Sequence, residues 1–81
     1  MTIGQKISIL RTALNLSQEQ LAEKLEVSRQ SVSKWESDKS LPEVNMILRL
    51  SQIFNITLDD LLRDRRYYDH RTKNLNTQNS A

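Results

Sequence analysis

Apolar residues in the first 62 positions recur in steps of three and four. Ile3, Ile7, Leu10 and Leu14 mark a first helix, with Asn15 as a left-handed stop. Ser17, with Gln20 three residues on, starts a second helix whose inner face is Leu21, Ala22 and Leu25. Glu26-Val27 breaks it. Ser28 caps a third helix that faces Val32 and Trp35 inward. Pro42 suits the start of a fourth helix, whose stripe is Val44, Ile47, Leu48, Leu50 and Phe54, stopped by Asn55. Thr57 caps a short fifth helix, with Asp59 and Asp60 in the first turn where the helix dipole favours anions. Ile56, Leu58, Leu61 and Leu62 close the core. The expected fold is all-α: five short helices in one compact domain.

After Arg66 the pattern stops. The stretch YYDHRTKNLNTQNSA is polar and nearly free of aliphatic residues. The chain therefore divides into a domain over residues 1–66 and a polar tail, expected to be flexible, over 67–81. With 81 residues and no cysteine, no disulfide or thiolate metal site supports the fold. No apolar run approaches the roughly 20 residues that span a bilayer, and no signal peptide is evident. A cytoplasmic location without membrane attachment is the default. The net charge of +2 is uneven. Five cations and two anions follow Leu62, so residues 1–62 sum to about −1. Such a domain binds a polyanion only if its cations share a face.

The third helix has such a face. In SRQSVSKWES, residues 28 to 37, Gln30, Ser33, Lys34 and Ser37 lie roughly opposite Val32 and Trp35. The stretch from Gln18 to Ser37, QEQLAEKLEVSRQSVSKWES, resembles the helix-turn-helix of the lambda-repressor and Cro-like DNA-binding domains. The resemblance extends over about residues 3 to 62, including SLPEVNMILRLSQIF and TLDDLL. Ala22 is small where the two helices cross at roughly 90–120°. In one place the chain departs from the pattern, since similar proteins carry Gly in the turn where this chain has Glu26.

The resemblance implies that the third helix enters the major groove of double-stranded DNA. Base contacts then fall to Arg29, Gln30, Ser33 and Lys34. Arg pairs with two acceptors of guanine, and Gln with N6 and N7 of adenine. Phosphate contacts fall to Gln18, Ser28, Ser37, Lys39 and Ser40, which carry affinity rather than sequence. Similar proteins pair an Arg with a Glu at the positions of Arg11 and Glu36, which implies an ion pair between the first and third helices.

Other chemistry has plainer explanations. The spacing of Trp35 from Val32 places it in the core rather than on a stacking surface. His70 has no Cys or second His with which to share a metal. The serines of the third helix lack a neighbouring base, and the helix dipole accounts for Asp59-Asp60. No enzyme, cofactor, metal or small-molecule ligand is expected.

The expected function is a transcription regulator acting as a homodimer on a palindromic operator, because one helix reads only a few base pairs. Repression is the expected sign, since occupying a promoter needs no further contact. Ile56, Leu58 or the segment with Tyr67 and Tyr68 is the expected dimer surface. Two alternatives are an antitoxin-like or adaptor module that binds protein, and the DNA-binding part of a longer regulator.

Overall fold

The computed structural model describes residues 1–63, and all regular elements among them are helices. They are α1 (Ile3–Ala13), α2 (Gln18–Leu25), α3 (Arg29–Glu36), α4 (Val44–Phe54) and α5 (Leu58–Leu62). The expected tail, with Tyr67, Tyr68 and His70, and the boundary at residue 66 lie outside the described residues.

Four of the five helices start with a hydroxyl cap. Thr2, Ser17, Ser28 and Thr57 each accept the backbone N–H three residues on. At Thr2 and Ser17 the reciprocal bond from Gln5 or Gln20 completes a capping box. Helix α4 differs from its expected start. Pro42 lies outside the helix and is buried, Glu43 occupies the cap without a side-chain bond, and the first helical residue is Val44. The proline ends the preceding loop instead of opening the helix.

Each of the first four helices is followed by a left-handed residue: Asn15, Glu26, Asp38 and Asn55, with φ of 59°, 57°, 61° and 55°. After each, the next residue's N–H reaches back five positions. Leu16 donates to Arg11 O, Val27 to Ala22 O, Lys39 to Lys34 O and Ile56 to Ser51 O, all within 2.9–3.1 Å. Asn and Asp tolerate this conformation through their short polar side chains, but Glu does not gain that advantage. The single glycine serves a different purpose. A Cβ at Gly4 would sit 2.2 Å from Trp35 O and 2.6 Å from Asp38 Oδ1, so only glycine lets α1 approach the end of α3 this closely.

The core comprises Ile3, Ile7, Leu21, Ala22, Leu25, Val32, Trp35, Ile47, Leu50, Phe54 and Leu61. Helix α3 packs against both α1 and α2. Burying a side chain such as Leu21 or Leu25 contributes about 2 kcal/mol. Trp35 is 7% exposed and packs in this core. Two members of the expected α4 stripe do not. Val44 is 54% and Leu48 47% exposed, because the buried face runs through Ile47, Leu50, Ser51 and Phe54. Leu14 and Leu58 are also exposed. Leu14 falls in the cap, beyond the last turn of α1, and Leu58 is the first residue of the short α5, one turn before the buried Leu61.

Glu26→Gly is expected to raise stability by about 1 kcal/mol, by relieving the left-handed strain at φ 57°. Urea denaturation measures this. An unchanged or lower midpoint would contradict the assignment of strain to this turn.

Candidate nucleic-acid interface

Helix α3 is anchored on one side and open on the other. Val32 and Trp35 are buried against α1 and α2. Arg29, Gln30, Ser33, Lys34 and Ser37 occupy the remaining arc, about 140° wide at 100° per residue. Arg29, Gln30, Lys34 and Ser37 are exposed, and Ser33 is half-buried. The side chains of Arg29, Gln30 and Lys34 have no hydrogen bond or ion pair with any described residue.

The other cations are mostly occupied. Arg11 Nε donates to Glu36 Oε2 at 2.7 Å, and its Nη2 to Oε1 at 3.1 Å. Its third nitrogen, Nη1, donates to Leu16 O at 2.7 Å. Arg49 reaches from α4 to the end of α2, donating to Leu25 O and Lys24 O at 2.8 Å each. Lys6 Nζ donates to Asp60 O and Arg63 O at the end of α5. Arg63 lies 3.5 Å from Asp59 in an exposed pair, which contributes little to stability. That leaves Lys24, Arg29, Lys34 and Lys39, and three of these four belong to α3 and the loop after it. A nearly neutral chain thereby presents a locally basic strip.

The loop after α3 folds back on the helix end. The Lys34 carbonyl accepts from Lys39 N at 2.9 Å and from Ser40 N at 3.4 Å. Lys39 and Ser40 are both exposed there. Ser37 Oγ donates to Ser33 O at 2.9 Å and approaches Lys34 O at 3.3 Å. Its hydrogen is thus given to its own helix, and a bond to a phosphate requires the hydroxyl to turn. Ser28 Oγ accepts Ser31 N–H at 3.2 Å and lies 3.1 Å from Ser31 Oγ.

Gln18 belongs to a buried polar cluster as well as to the surface. Its Nε2 donates to Glu36 Oε1 at 3.0 Å. The Glu36 carboxylate thus accepts three hydrogen bonds, two from α1 and one from α2. The Arg11 and Glu36 side chains are only 16% and 8% exposed. Donating hydrogen bonds to the Glu36 carboxylate holds the Arg11 guanidinium more firmly protonated than an ordinary arginine, against the opposing effect of burial. The Gln18 bond joins residues 18 apart on different helices, and no local pattern signals it. The same is true of the Arg49 and Lys6 caps, which span 24 residues or more. Among the described residues no group of His, Cys, Asp or Glu is placed to hold a metal ion, and no helix is long and apolar enough to cross a membrane.

A family model described as helix-turn-helix matches residues 7–61. The chain belongs to the helix-turn-helix family. It is 48% identical over 62 residues to the HTH-type transcriptional activator BcrR of Enterococcus faecalis, covering 76% of this chain and 30% of that protein. It is 31% identical over 62 residues to the HTH-type transcriptional regulator ImmR of Bacillus subtilis, covering 76% of this chain and 49% of that protein. This helix-turn-helix chain therefore spans about a third to a half of the length of these two relatives. In structure it is similar to the P22 c2 repressor, solved in complex with a synthetic operator. That match has a TM-score of 0.74 and 28% identity, covering 78% of this chain and 96% of that one. It is also similar to SinR, a regulator of biofilm formation solved in complex with DNA, with a TM-score of 0.69 and 27% identity over 75% of this chain and 98% of that one. The helices α2 and α3 with the turn at Glu26 are the helix-turn-helix.

Glu36→Ala is expected to cost about 3 kcal/mol, because it leaves the Arg11 charge largely buried without a counter-charge. Replacing both, as Arg11→Met with Glu36→Leu, is expected to cost less than Glu36→Ala alone. Urea melts of the two variants decide it. A double variant that costs as much as Glu36→Ala, or more, would contradict the coupling of the two side chains.

Proposed function

We propose that this chain is the sequence-specific DNA-binding domain of a transcription regulator. It acts by binding double-stranded DNA, not by catalysis, and places α3 in the major groove. The observation that carries this reading is the exposed arc of α3, where Arg29, Gln30 and Lys34 are free of internal bonds. The DNA complexes of the P22 c2 repressor and SinR support it, since both are similar to this chain over nearly their whole length.

The roles follow from donor and acceptor chemistry. Gln30 offers a donor and an acceptor, and Arg29 two donors, to base edges, with Ser33 and Lys34 beside them. Gln18 and Ser28, at the starts of α2 and α3, meet phosphates, and Lys39 and Ser40 meet them after α3. Ser37 joins them when its hydroxyl turns away from Ser33 O. Glu26 places an anion in the turn and reduces attraction to phosphate. Residues 1–66 act as the binding unit, and 67–81 follow as a polar tail. A second copy of the chain reads the other half-site, with exposed Leu58 and neighbouring Ile56 at the contact. The sign of regulation depends on where the operator lies. Similar proteins include both an activator and a repressor by name.

Two substitutions separate the roles. Gln30→Ala is expected to cost about 1–3 kcal/mol on the preferred site and to relax sequence preference. Lys39→Ala is expected to weaken all duplexes alike and to make the salt dependence shallower by about one unit of log–log slope. Fluorescence anisotropy titrations at several salt concentrations measure both. Unchanged affinity and preference after Gln30→Ala would remove α3 from the groove.

A further inference from the structure

We propose that Glu36 is a positioning residue for phosphate binding, orienting the Gln18 amide at the start of α2 while Arg11 cancels its charge. The proposal rests on the DNA-binding reading above and deepens it.

A glutamine amide has two ends of similar shape and opposite chemistry. A phosphate oxygen only accepts hydrogen bonds, so only the Nε2 end is useful to it. An ionised carboxylate also only accepts. With Glu36 Oε1 3.0 Å from Gln18 Nε2, the amide has one allowed orientation, and the flipped form would set two acceptors against each other. One of the two Nε2 hydrogens is used by Glu36, and the other remains to donate. Gln18 is half-buried, so the restricted amide still reaches the surface.

The donors around it point to the same use. The capping box satisfies the backbone N–H groups of Ser17 and Gln20. The N–H groups of Gln18 and Glu19, between them, have no partner among the described residues. With the second Nε2 hydrogen they form a small set of donors at one helix start.

A carboxylate so near would ordinarily repel a phosphate. Arg11 answers this with two hydrogen bonds, at 2.7 and 3.1 Å, to the same carboxylate. Glu36 therefore supplies an orienting acceptor with no net charge. Because Glu36 also ends α3, the same group fixes the phosphate-facing amide relative to the base-reading helix.

The test is a double-mutant cycle in DNA affinity. Gln18→Met removes the amide and keeps the side-chain length. Glu36→Asp keeps the charge and withdraws the carboxylate by one methylene. Each is titrated on the selected duplex and on a scrambled one, with thermal melting to confirm folding. Each single variant is expected to lose about tenfold on both duplexes, the effect of one charge-assisted hydrogen bond. The double variant is expected to lose no more than either single one. Losses that multiply, or full affinity in Glu36→Asp, would overturn the proposal. A general shift of α3 would persist when Gln18 is already gone, whereas a positioning effect would vanish. If Glu36→Asp does not fold, the paired change Arg11→Met with Glu36→Leu, which removes the acceptor and the charge together, takes its place in the same cycle with the same expected coupling. Absence of any duplex binding by the unsubstituted chain would instead overturn the DNA-binding reading beneath it.

Discussion

The Glu36 carboxylate accepts hydrogen bonds from two helices other than its own. Arg11 approaches it from α1 with two nitrogens, and Gln18 from α2 with one. Arg11 also holds Leu16 O, at the close of the turn between α1 and α2. Three helices and a turn are therefore tied to a group only 8% exposed. Hydrophobic burial is non-directional and does not by itself fix how far α3 slides or rotates. The geometry of a carboxylate with a guanidinium is directional, and a pair this buried is costly to break from one side. The apolar core supplies most of the stability, and the polar cluster specifies which arc of α3 remains outside.

The same economy governs charge. Lys6, Arg11 and Arg49 are occupied at carbonyls or at Glu36, so they serve as caps and struts. Asp38 is turned toward α1 and accepts the Thr2 hydroxyl at 3.0 Å. The cations left outside concentrate on α3 and its following loop. A domain with a net charge near −1 over residues 1–62 thus presents a basic strip, which is what a polyanion meets at short range.

Much of this was legible in the order of residues. Helix starts were marked by Thr57, Ser17 and Ser28, and stops by Asn15 and Asn55, because capping is a local interaction over three to five residues. The inward face of α3 was legible from two residues, Val32 and Trp35. What failed was amphipathic detail in α4. Val44 and Leu48 are as apolar as Ile47 and Leu50, and only packing decides which side is covered. Pro42 does not mark the start of α4, because a proline at a helix start and one in the preceding loop have the same local signature. The Gln18–Glu36 bond and the Arg49 cap depend on tertiary proximity, which periodicity does not encode. The pairing of Arg11 with Glu36 came from resemblance to a family and not from spacing.

The central claim is that the uncommitted arc of α3 reads a DNA sequence. The most direct test is selection of binding sites from a random duplex pool, followed by titration of the enriched duplex at several salt concentrations. The account predicts enrichment of an inverted repeat with half-sites about one helical turn apart, and binding that weakens steeply as salt rises. A pool that yields no preferred sequence, with every duplex bound equally or not at all, would contradict it.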